Sequence, residues 1–208
     1  MKKLYETSSV YLIKTLVVAG LALATSAEAQ IYDNLGATPS GADPVGSFGP
    51  LYDSFTSPGT STPITSLQIA LEGDNSAGTL TVGLYGDSST APGGLITTLG
   101  TINDTTIGGG VNDYTVSLLS NPVLAASTRY WIGLSDTDDV VWSWSSDTSG
   151  TGVAGEFFAN QNGVFPNADG PYQMDLNGPS SSVPDAGSTA SILGLGFAGL
   201  LALRRKLA

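Results

Sequence analysis

The 208-residue sequence has no cysteine and no histidine, and its four lysines all lie near the two ends. Without these side chains, the region between the ends cannot form a Ser-His-Asp triad, a cysteine nucleophile or a Schiff-base lysine. A zinc site of the usual nitrogen and sulfur type is excluded for the same reason. The fold also has no disulfide framework, so its stability must come from a hydrophobic core.

Positive charge is almost absent from the middle of the chain. Sixteen of the 18 acidic residues lie between residues 30 and 185, where Arg129 is the only basic residue. Such a region repels phosphate groups, and nucleic-acid binding needs clustered Lys and Arg, so nucleic-acid binding is excluded. Glu72 and Glu156 are the only glutamates available for a glycosidase-type carboxylate pair, and no motif surrounds either. We therefore predict that the protein is not an enzyme.

The first 29 residues have the pattern of a signal peptide. Lys2, Lys3 and Lys14 provide the basic part, and an apolar run at 16–24 follows. Small residues then occupy the two critical positions of a cleavage site. These positions are Ala27 and Ala29. We predict a signal helix cut by signal peptidase after Ala29; an uncleaved signal anchor is the alternative.

Residues 30–178 have the pattern of one all-β domain. Short runs with apolar residues at every second position are separated by turn-forming residues, which favours strands over helices. The predicted strands are Ile64–Leu71, Thr79–Gly86, Leu95–Ile102, Asp113–Leu119, Arg129–Ser135, Val140–Ser145, Gly155–Asn160 and Tyr172–Asn177. Pro92 and the two glycines after it predict a break in pairing. The expected fold is an antiparallel two-sheet β-sandwich of the jelly-roll or immunoglobulin/fibronectin-III type, flanked by the signal helix and a C-terminal hydrophobic helix.

The segment from Leu124 to Tyr130 resembles the tyrosine corner of immunoglobulin-like sandwiches. In that motif a tyrosine at the start of a strand hydrogen-bonds through its hydroxyl to backbone a few residues upstream. The alternative is that Tyr130 packs in the core without this bond. Both interpretations support a sandwich.

Three aspartates in one predicted hairpin loop raise the question of a metal. Asp136, Asp138 and Asp139 offer the carboxylate oxygens that Ca²⁺ binds, but the loop lacks the glycine and distal glutamate of an EF-hand. A solvated acidic loop is the preferred interpretation. We therefore expect no cofactor, with Ca²⁺ as the alternative.

Two tryptophans lie on one side of the predicted strand at 140–145. Exposed aromatic rings at such positions can form a stacking platform for sugars, so Trp142 and Trp144 are candidates for carbohydrate binding. Large aromatics more often form the inner face of a sandwich, and this is the preferred interpretation. The two alternatives differ in whether the rings are exposed.

The C-terminal tail, within a linker and tail at 179–208, has three parts. A proline-containing motif spans 183–189, an uncharged and increasingly apolar helix is predicted over 190–203, and basic residues follow at 204–206. The strongly apolar part is short for a bilayer core of about 30 Å. Arg204, Arg205 and Lys206 form a positive-inside stop signal. Such a tail is a weak anchor with a processable motif beside it; an ordinary single-pass anchor is the alternative.

This arrangement resembles the PEP-CTERM sorting signals of bacterial exported proteins, in the variant written VPDSG. The matching residues are Val183, Pro184, Asp185, Ala186 and Gly187, with Ala186 where the variant has serine. The resemblance implies that an exosortase-type membrane transpeptidase or protease is a partner. It also implies transient anchoring of the tail in the inner membrane, cleavage near the motif, and delivery to the cell surface or extracellular matrix.

The central domain is similar to the choice-of-anchor R family. The resemblance rests on segments at 32–55, 81–96, 129–136 and 142–178. It implies no activity, because the family name describes attachment. We predict a non-catalytic structural or adhesive protein of the cell surface or matrix; the alternative is a carbohydrate-binding module acting on exopolysaccharide.

Overall fold

The computed structural model describes residues 28–73, 77–138 and 140–179. Antiparallel strands make up most of these residues, in two six-stranded sheets and one small ladder. The helical elements of this part of the chain are short. They are α1 (Val45–Phe48) and two 3-10 turns, Asp104–Thr106 and Asn167–Asp169.

The first sheet is organised around a strand near the middle of the chain. In spatial order its strands are β1 (Ala29–Asp33), β14 (Met174–Gly178), β5 (Ser66–Glu72), β11 (Val141–Trp144) and β2 (Gly41–Pro44). The sixth strand, β8 (Asn112–Thr115), also pairs with β5. Ile69 pairs with both β14 and β8, and Leu71 pairs with both β11 and β8. Strands β14 and β11 therefore share one side of β5, and β8 takes the other.

The second sheet is a single antiparallel run. In spatial order its strands are β13 (Gly163–Pro166), β12 (Phe157–Asn160), β3 (Leu51–Thr56), β10 (Arg129–Ser135), β6 (Thr79–Asp87) and β7 (Pro92–Asn103). A two-stranded ladder, β4 (Thr62–Pro63) with β9 (Val123–Leu124), lies outside both sheets. Strands β2 and β13 are therefore at edges of their sheets.

One hydrophobic cluster draws its side chains from both sheets. Alternate residues are fully or almost fully buried along β5 and β6, as a strand with one inward face requires. These residues are Leu67, Ile69, Leu71, Leu80, Val82 and Leu84. The predicted all-β, antiparallel fold is confirmed.

The start of β7 corrects one expectation. Pro92 and the glycines after it predicted a break, but β7 begins at Pro92, which pairs with Asp87 of β6. Proline is tolerated at the first residue of a strand, and β7 is the last strand in the order of its sheet. The missing N–H of Pro92 therefore leaves no gap in the ladder.

The predicted tyrosine corner is present. The backbone N–H of Ala125 donates a hydrogen bond of 2.9 Å to the hydroxyl oxygen of Tyr130. The Tyr130 ring stacks on Phe55, with 5.9 Å between the ring centroids. The bond connects the segment after β9 to the start of β10, so it closes one corner of the core.

The predicted terminal helices fall outside the described residues. This holds for the signal segment up to Ala27 and for the tail helix at 190–203, whereas Ala29 is the first residue of β1. Within 28–73, 77–138 and 140–179, no helix has the length and apolar character needed to cross a membrane.

Candidate functional site

An open groove of about 440 Å³ lies beside Trp144, with walls from both sheets. Trp144 and Asp43 come from β11 and β2 of the first sheet, and Asn160 and Phe165 come from β12 and β13 of the second. Since β2 and β13 are edge strands, the groove opens between two sheet edges.

Two glycines leave room for the indole of Trp144. An added Cβ on Gly41, which pairs with Trp144 across β2 and β11, would lie 2.5–2.9 Å from three atoms of the indole. A Cβ on Gly170 would lie 2.8 Å from another indole atom, and Gly170 has a φ of +129°. The Trp144 side chain is therefore half-buried against backbone, with part of its ring at the groove.

Stacked aromatic rings form a second wall of the groove. Phe158 and Phe165 are nearly parallel, with 5.3 Å between their centroids. Phe158 also meets the ring of Tyr172 edge to face at 5.6 Å, and Tyr172 stacks on Trp142 at 4.7 Å. Such pairs add about 0.5–1.5 kcal/mol each beyond the area they bury. The apolar wall is therefore continuous with the core.

Polar groups at the groove are held in place by hydrogen bonds. The Tyr172 hydroxyl donates to Oδ2 of Asp43 at 2.6 Å. Burial, together with the Asp43 carboxylate, raises the pKa of Tyr172, so the hydroxyl stays protonated and remains a donor. The side-chain oxygen of Asn160 accepts from the backbone N–H of Asn162 at 2.9 Å. Asp43 and Asn160 both line the groove, so two polar side chains of fixed position stand beside its aromatic wall.

The chemistry of the groove suits a neutral, hydroxyl-rich ligand. Aromatic faces can pack against C–H groups, and the carboxylates and amides of Asp43, Asp169, Asn160 and Asn162 offer acceptors and donors. Between residues 28 and 179 the sequence has one basic residue, Arg129, and it pairs with Glu156 at 2.8 Å. The groove therefore has no positive charge for an anionic ligand.

The structure separates the two tryptophans that the sequence grouped. Trp142 is fully buried, and its indole N–H donates to the backbone carbonyl of Gln173 at 2.9 Å. It lies in the core, as the preferred interpretation expected, so its ring cannot contact a sugar. Trp144 alone reaches the groove, and a platform made of both rings is not present.

The predicted acidic loop follows β10. Oδ1 of Asp136 accepts hydrogen bonds from the backbone N–H groups of Thr137 and Asp138, at 2.6 and 3.3 Å. Asp139 lies outside the described residues. Within the described ranges, no three acidic side chains gather with the geometry of a complete metal site.

The two glutamates considered for catalysis have different settings. Glu72 ends β5, where it is half-buried and pairs with Val141. The buried carboxylate of Glu156 accepts hydrogen bonds from the hydroxyls of Ser54 and Thr56 and pairs with Arg129. The contacts of Glu156 therefore connect strands of the second sheet.

The sorting-motif and stop-signal residues of the tail lie outside the described residues.

Sequence reasoning missed most of the groove. Asp43 comes near Trp144 through pairing of β2 with β11, whereas Asn160 and Phe165 belong to the second sheet and reach Trp144 only because the two sheets pack together. The segment that contains Asp43 had no strong strand pattern. The glycines at 41 and 170 were a usable signal, but only after the position of the Trp144 ring was known.

One comparison with known protein families gives a match. The model of the family described as the VPDSG-CTERM motif matches residues 182–207. No curated protein matches the chain.

Proposed function

We propose that the chain is an exported bacterial protein of the cell surface or extracellular matrix, with a non-catalytic structural or adhesive domain. The observation that carries this proposal is the sorting motif at residues 182–207. A PEP-CTERM-like tail implies processing by exosortase-type machinery. Signal peptidase would act at the other end, after Ala29.

In this proposal the tail acts before the protein reaches its destination. Val183, Pro184 and Asp185 begin the recognised motif. The apolar segment at 190–203, predicted from sequence to be helical, would hold the chain in the inner membrane for a time, and the basic residues at 204–206 would keep the C-terminus in the cytoplasm. Cleavage near the motif then releases the domain outward. Mature protein recovered from the surface should lack the residues after the cleavage site.

Mass spectrometry of surface-exposed protein tests this sequence of events. Replacing Arg204, Arg205 and Lys206 with glutamine should leave unprocessed chains, whereas the charge-preserving change of both arginines to lysine should not. Recovery of an intact C-terminus through Ala208 from wild-type cells would contradict the proposal. Unchanged processing of the glutamine variant would contradict the role of the basic residues.

The domain at 30–178 is proposed to be a two-sheet sandwich of the choice-of-anchor R type. Two antiparallel sheets that share one cluster support the sandwich, and the tyrosine corner at Tyr130 supports an immunoglobulin-like relative over an unrelated all-β fold. Its role as scaffold or adhesin fits the absence of His, Cys and central Lys from the sequence.

Carbohydrate binding in the groove is the second candidate function. The observation that favours it is the Trp144 ring beside the carboxylate of Asp43, which is oriented by Tyr172. An aromatic face with adjacent acceptors is a common arrangement for a sugar ring. The ligand class is neutral polysaccharide, because no basic side chain lines the groove.

A glycan array probed with the full chain separates the two candidates. Binding should be confined to neutral glycans and should be lost in Trp144→Ala. Val164→Ala is the matched control, because Val164 is exposed on β13 and precedes the groove residue Phe165 on the opposite face of the strand. Binding of acidic glycans only, or equal binding by Trp144→Ala, would contradict a groove-based site and leave the structural role.

A further inference from the structure

Two carboxylates from separate segments, the buried Asp104 and the half-buried Asp136, each have one buried oxygen without a hydrogen-bond partner. Asp104 begins the 3-10 turn after β7 and is 1% exposed. Its Oδ1 accepts a 2.9 Å hydrogen bond from the backbone N–H of Leu80, while its Oδ2 is buried and accepts none. Buried polar atoms are nearly always satisfied in native proteins, so this oxygen requires an explanation.

Asp136, after β10, has the same pattern. Its Oδ1 is held by the backbone N–H groups of Thr137 and Asp138, and its Oδ2 is buried without a hydrogen-bond partner. Both carboxylates are thus fixed through one oxygen by backbone donors. The other oxygen of each carboxylate accepts no hydrogen bond.

The Asp104 carboxylate lies next to the loop that contains Asp136, and Gly78 contacts both. The backbone N–H of Asp104 donates to the carbonyl of Gly78 at 3.3 Å. A Cβ on Gly78 would collide with Oδ2 of Asp104 and would lie 3.3 Å from the Cβ of Asp138. Burial, followed by the negative charge of Asp136, raises the pKa of Asp104, and Asp138 adds to this effect. The 3-10 turn at Asp104 and the loop at 136–138 therefore bring acidic groups to one point beside Gly78.

No basic side chain is available to neutralise this cluster. Arg129 is the only basic residue between residues 28 and 179, and it lies at the start of β10, where its guanidinium pairs with Glu156. Two like charges buried side by side are strongly unfavourable unless a cation or a shared proton lies between them.

We propose that Asp104 and Asp136 form a binding site for Ca²⁺, which bridges their two unpartnered oxygens. Ca²⁺ takes six to eight oxygen ligands and accepts backbone carbonyls and water among them. The described residues supply two carboxylates and nearby backbone, so water completes the shell. The site joins the 3-10 turn after β7 to the loop after β10, which makes it a structural clamp at one end of the second sheet.

Asp104 is the residue that distinguishes this site from an acidic loop. The aspartates at 136–139 could be solvated as a hairpin turn, but Asp104 comes from a separate segment and is shielded from water. Extracellular calcium modules bind with Kd values of about 0.1–1 mM. The site would therefore be filled outside the cell and not in the cytoplasm.

Thermal unfolding of the full chain, with CaCl2 as the probe, tests the site. After EDTA treatment, 10 mM CaCl2 should raise the Tm by about 3–10 °C, and equimolar MgCl2 should do much less. Equilibrium dialysis with Ca²⁺ should find one saturable site. Asp104→Asn and Asp136→Asn should each abolish the Ca²⁺-dependent shift and should raise the Tm measured in EDTA, because the charge repulsion is relieved.

Asp113→Asn is the matched control. Asp113 is exposed on β8 and its substitution removes the same single charge, so its Ca²⁺ response should equal that of the wild type. An equal Ca²⁺ response in all variants would show diffuse binding to an acidic surface and overturn the proposal. A Tm that rises on acidification but not with Ca²⁺ would overturn it in favour of a proton shared by the two carboxylates.

Discussion

The guanidinium Nε of Arg129 lies 2.8 Å from Oε2 of Glu156, in an ion pair that contains the only basic residue of the domain. The carboxylate also accepts from Ser54 at 2.7 Å, and the guanidinium lies 4.9 Å from the centre of the Phe157 ring. The pair connects β10, β3 and the start of β12. Only 6% of the Glu156 side chain is exposed, so its buried charge depends on this partner.

Removing one partner of this pair should destabilise the fold. Arg129→Met keeps the aliphatic stem but leaves the Glu156 carboxylate buried without its counter-charge, at a cost of about 3 kcal/mol. The double variant Arg129→Met/Glu156→Gln should recover part of this loss. Urea unfolding measures the free energy of unfolding of Arg129→Met, Glu156→Gln and the double variant. If the losses of the two single variants add up to that of the double variant, the two side chains do not interact.

The tyrosine corner should contribute through its hydroxyl. Tyr130→Phe removes the acceptor for the backbone N–H of Ala125 and should lower the free energy of unfolding by about 1 kcal/mol. For a domain of this size the Tm should fall by about 2–4 °C. Tyr130→Leu also removes the stacking on Phe55 and should cost more. An unchanged Tm in Tyr130→Phe would show that the bond is dispensable.

Gly41→Ala should displace the Trp144 ring. The new methyl would overlap the indole, and such overpacking costs about 1–3 kcal/mol. Trp131 and Trp142 are fully buried, so acrylamide quenching of tryptophan fluorescence reports mainly on Trp144. Quenching should increase in the variant. Gly94→Ala is the control, because no atom lies within 4 Å of its added Cβ; equal quenching in both variants would contradict the packing role of Gly41.

The buried carboxyl of Asp53 should make stability fall as pH rises. Burial raises its pKa well above the ordinary value, against hydrogen bonds from Asn167 and Tyr32, and the charge of Glu156 raises it further. A raised pKa in the folded state means that the folded protein holds this proton more tightly. The contribution to stability is complete below about pH 4 and is lost as pH rises through the folded-state pKa.

Asp53→Asn isolates this contribution. Urea unfolding at pH 4.5 and at pH 8 should show a smaller loss of stability on raising the pH in the variant than in the wild type. Asp104 and Asp175 also have raised pKa values, but they are present in both proteins, so the difference reports on Asp53. The same pH dependence in the two proteins would mean that Asp53 does not titrate in this range.

The strands found from sequence are those with an uninterrupted alternation of apolar residues. Predicted strand 129–135 has the observed bounds of β10, and predicted strand 79–86 is one residue shorter than β6. Both place apolar side chains on one face. Pattern reasoning works where the inward face is wholly apolar, because burial alone then sets the period.

Strand β3 was missed for the opposite reason. It lies in the interior of the second sheet, yet its buried residues include Asp53 and Ser54, which bond to Asn167 and Glu156. From local sequence alone, an aspartate such as Asp53 is predicted to lie in a loop. The partners that make it tolerable come from more than 100 positions away. The groove could not be predicted either, since it forms only where elements of the two sheets meet.

Strand β14, the last of the domain, lies between β1 and β5 and so joins the first strand to the rest of its sheet. A chain that crosses a membrane from its N-terminus delivers β14 after every other strand. The first sheet can then be completed only near the end of translocation. Only four residues separate Gly178, the last residue of β14, from Val183, the first residue of the sorting motif. Premature release of the nascent chain would leave β1 without its neighbour, so the order of synthesis itself delays maturation until the whole domain has emerged.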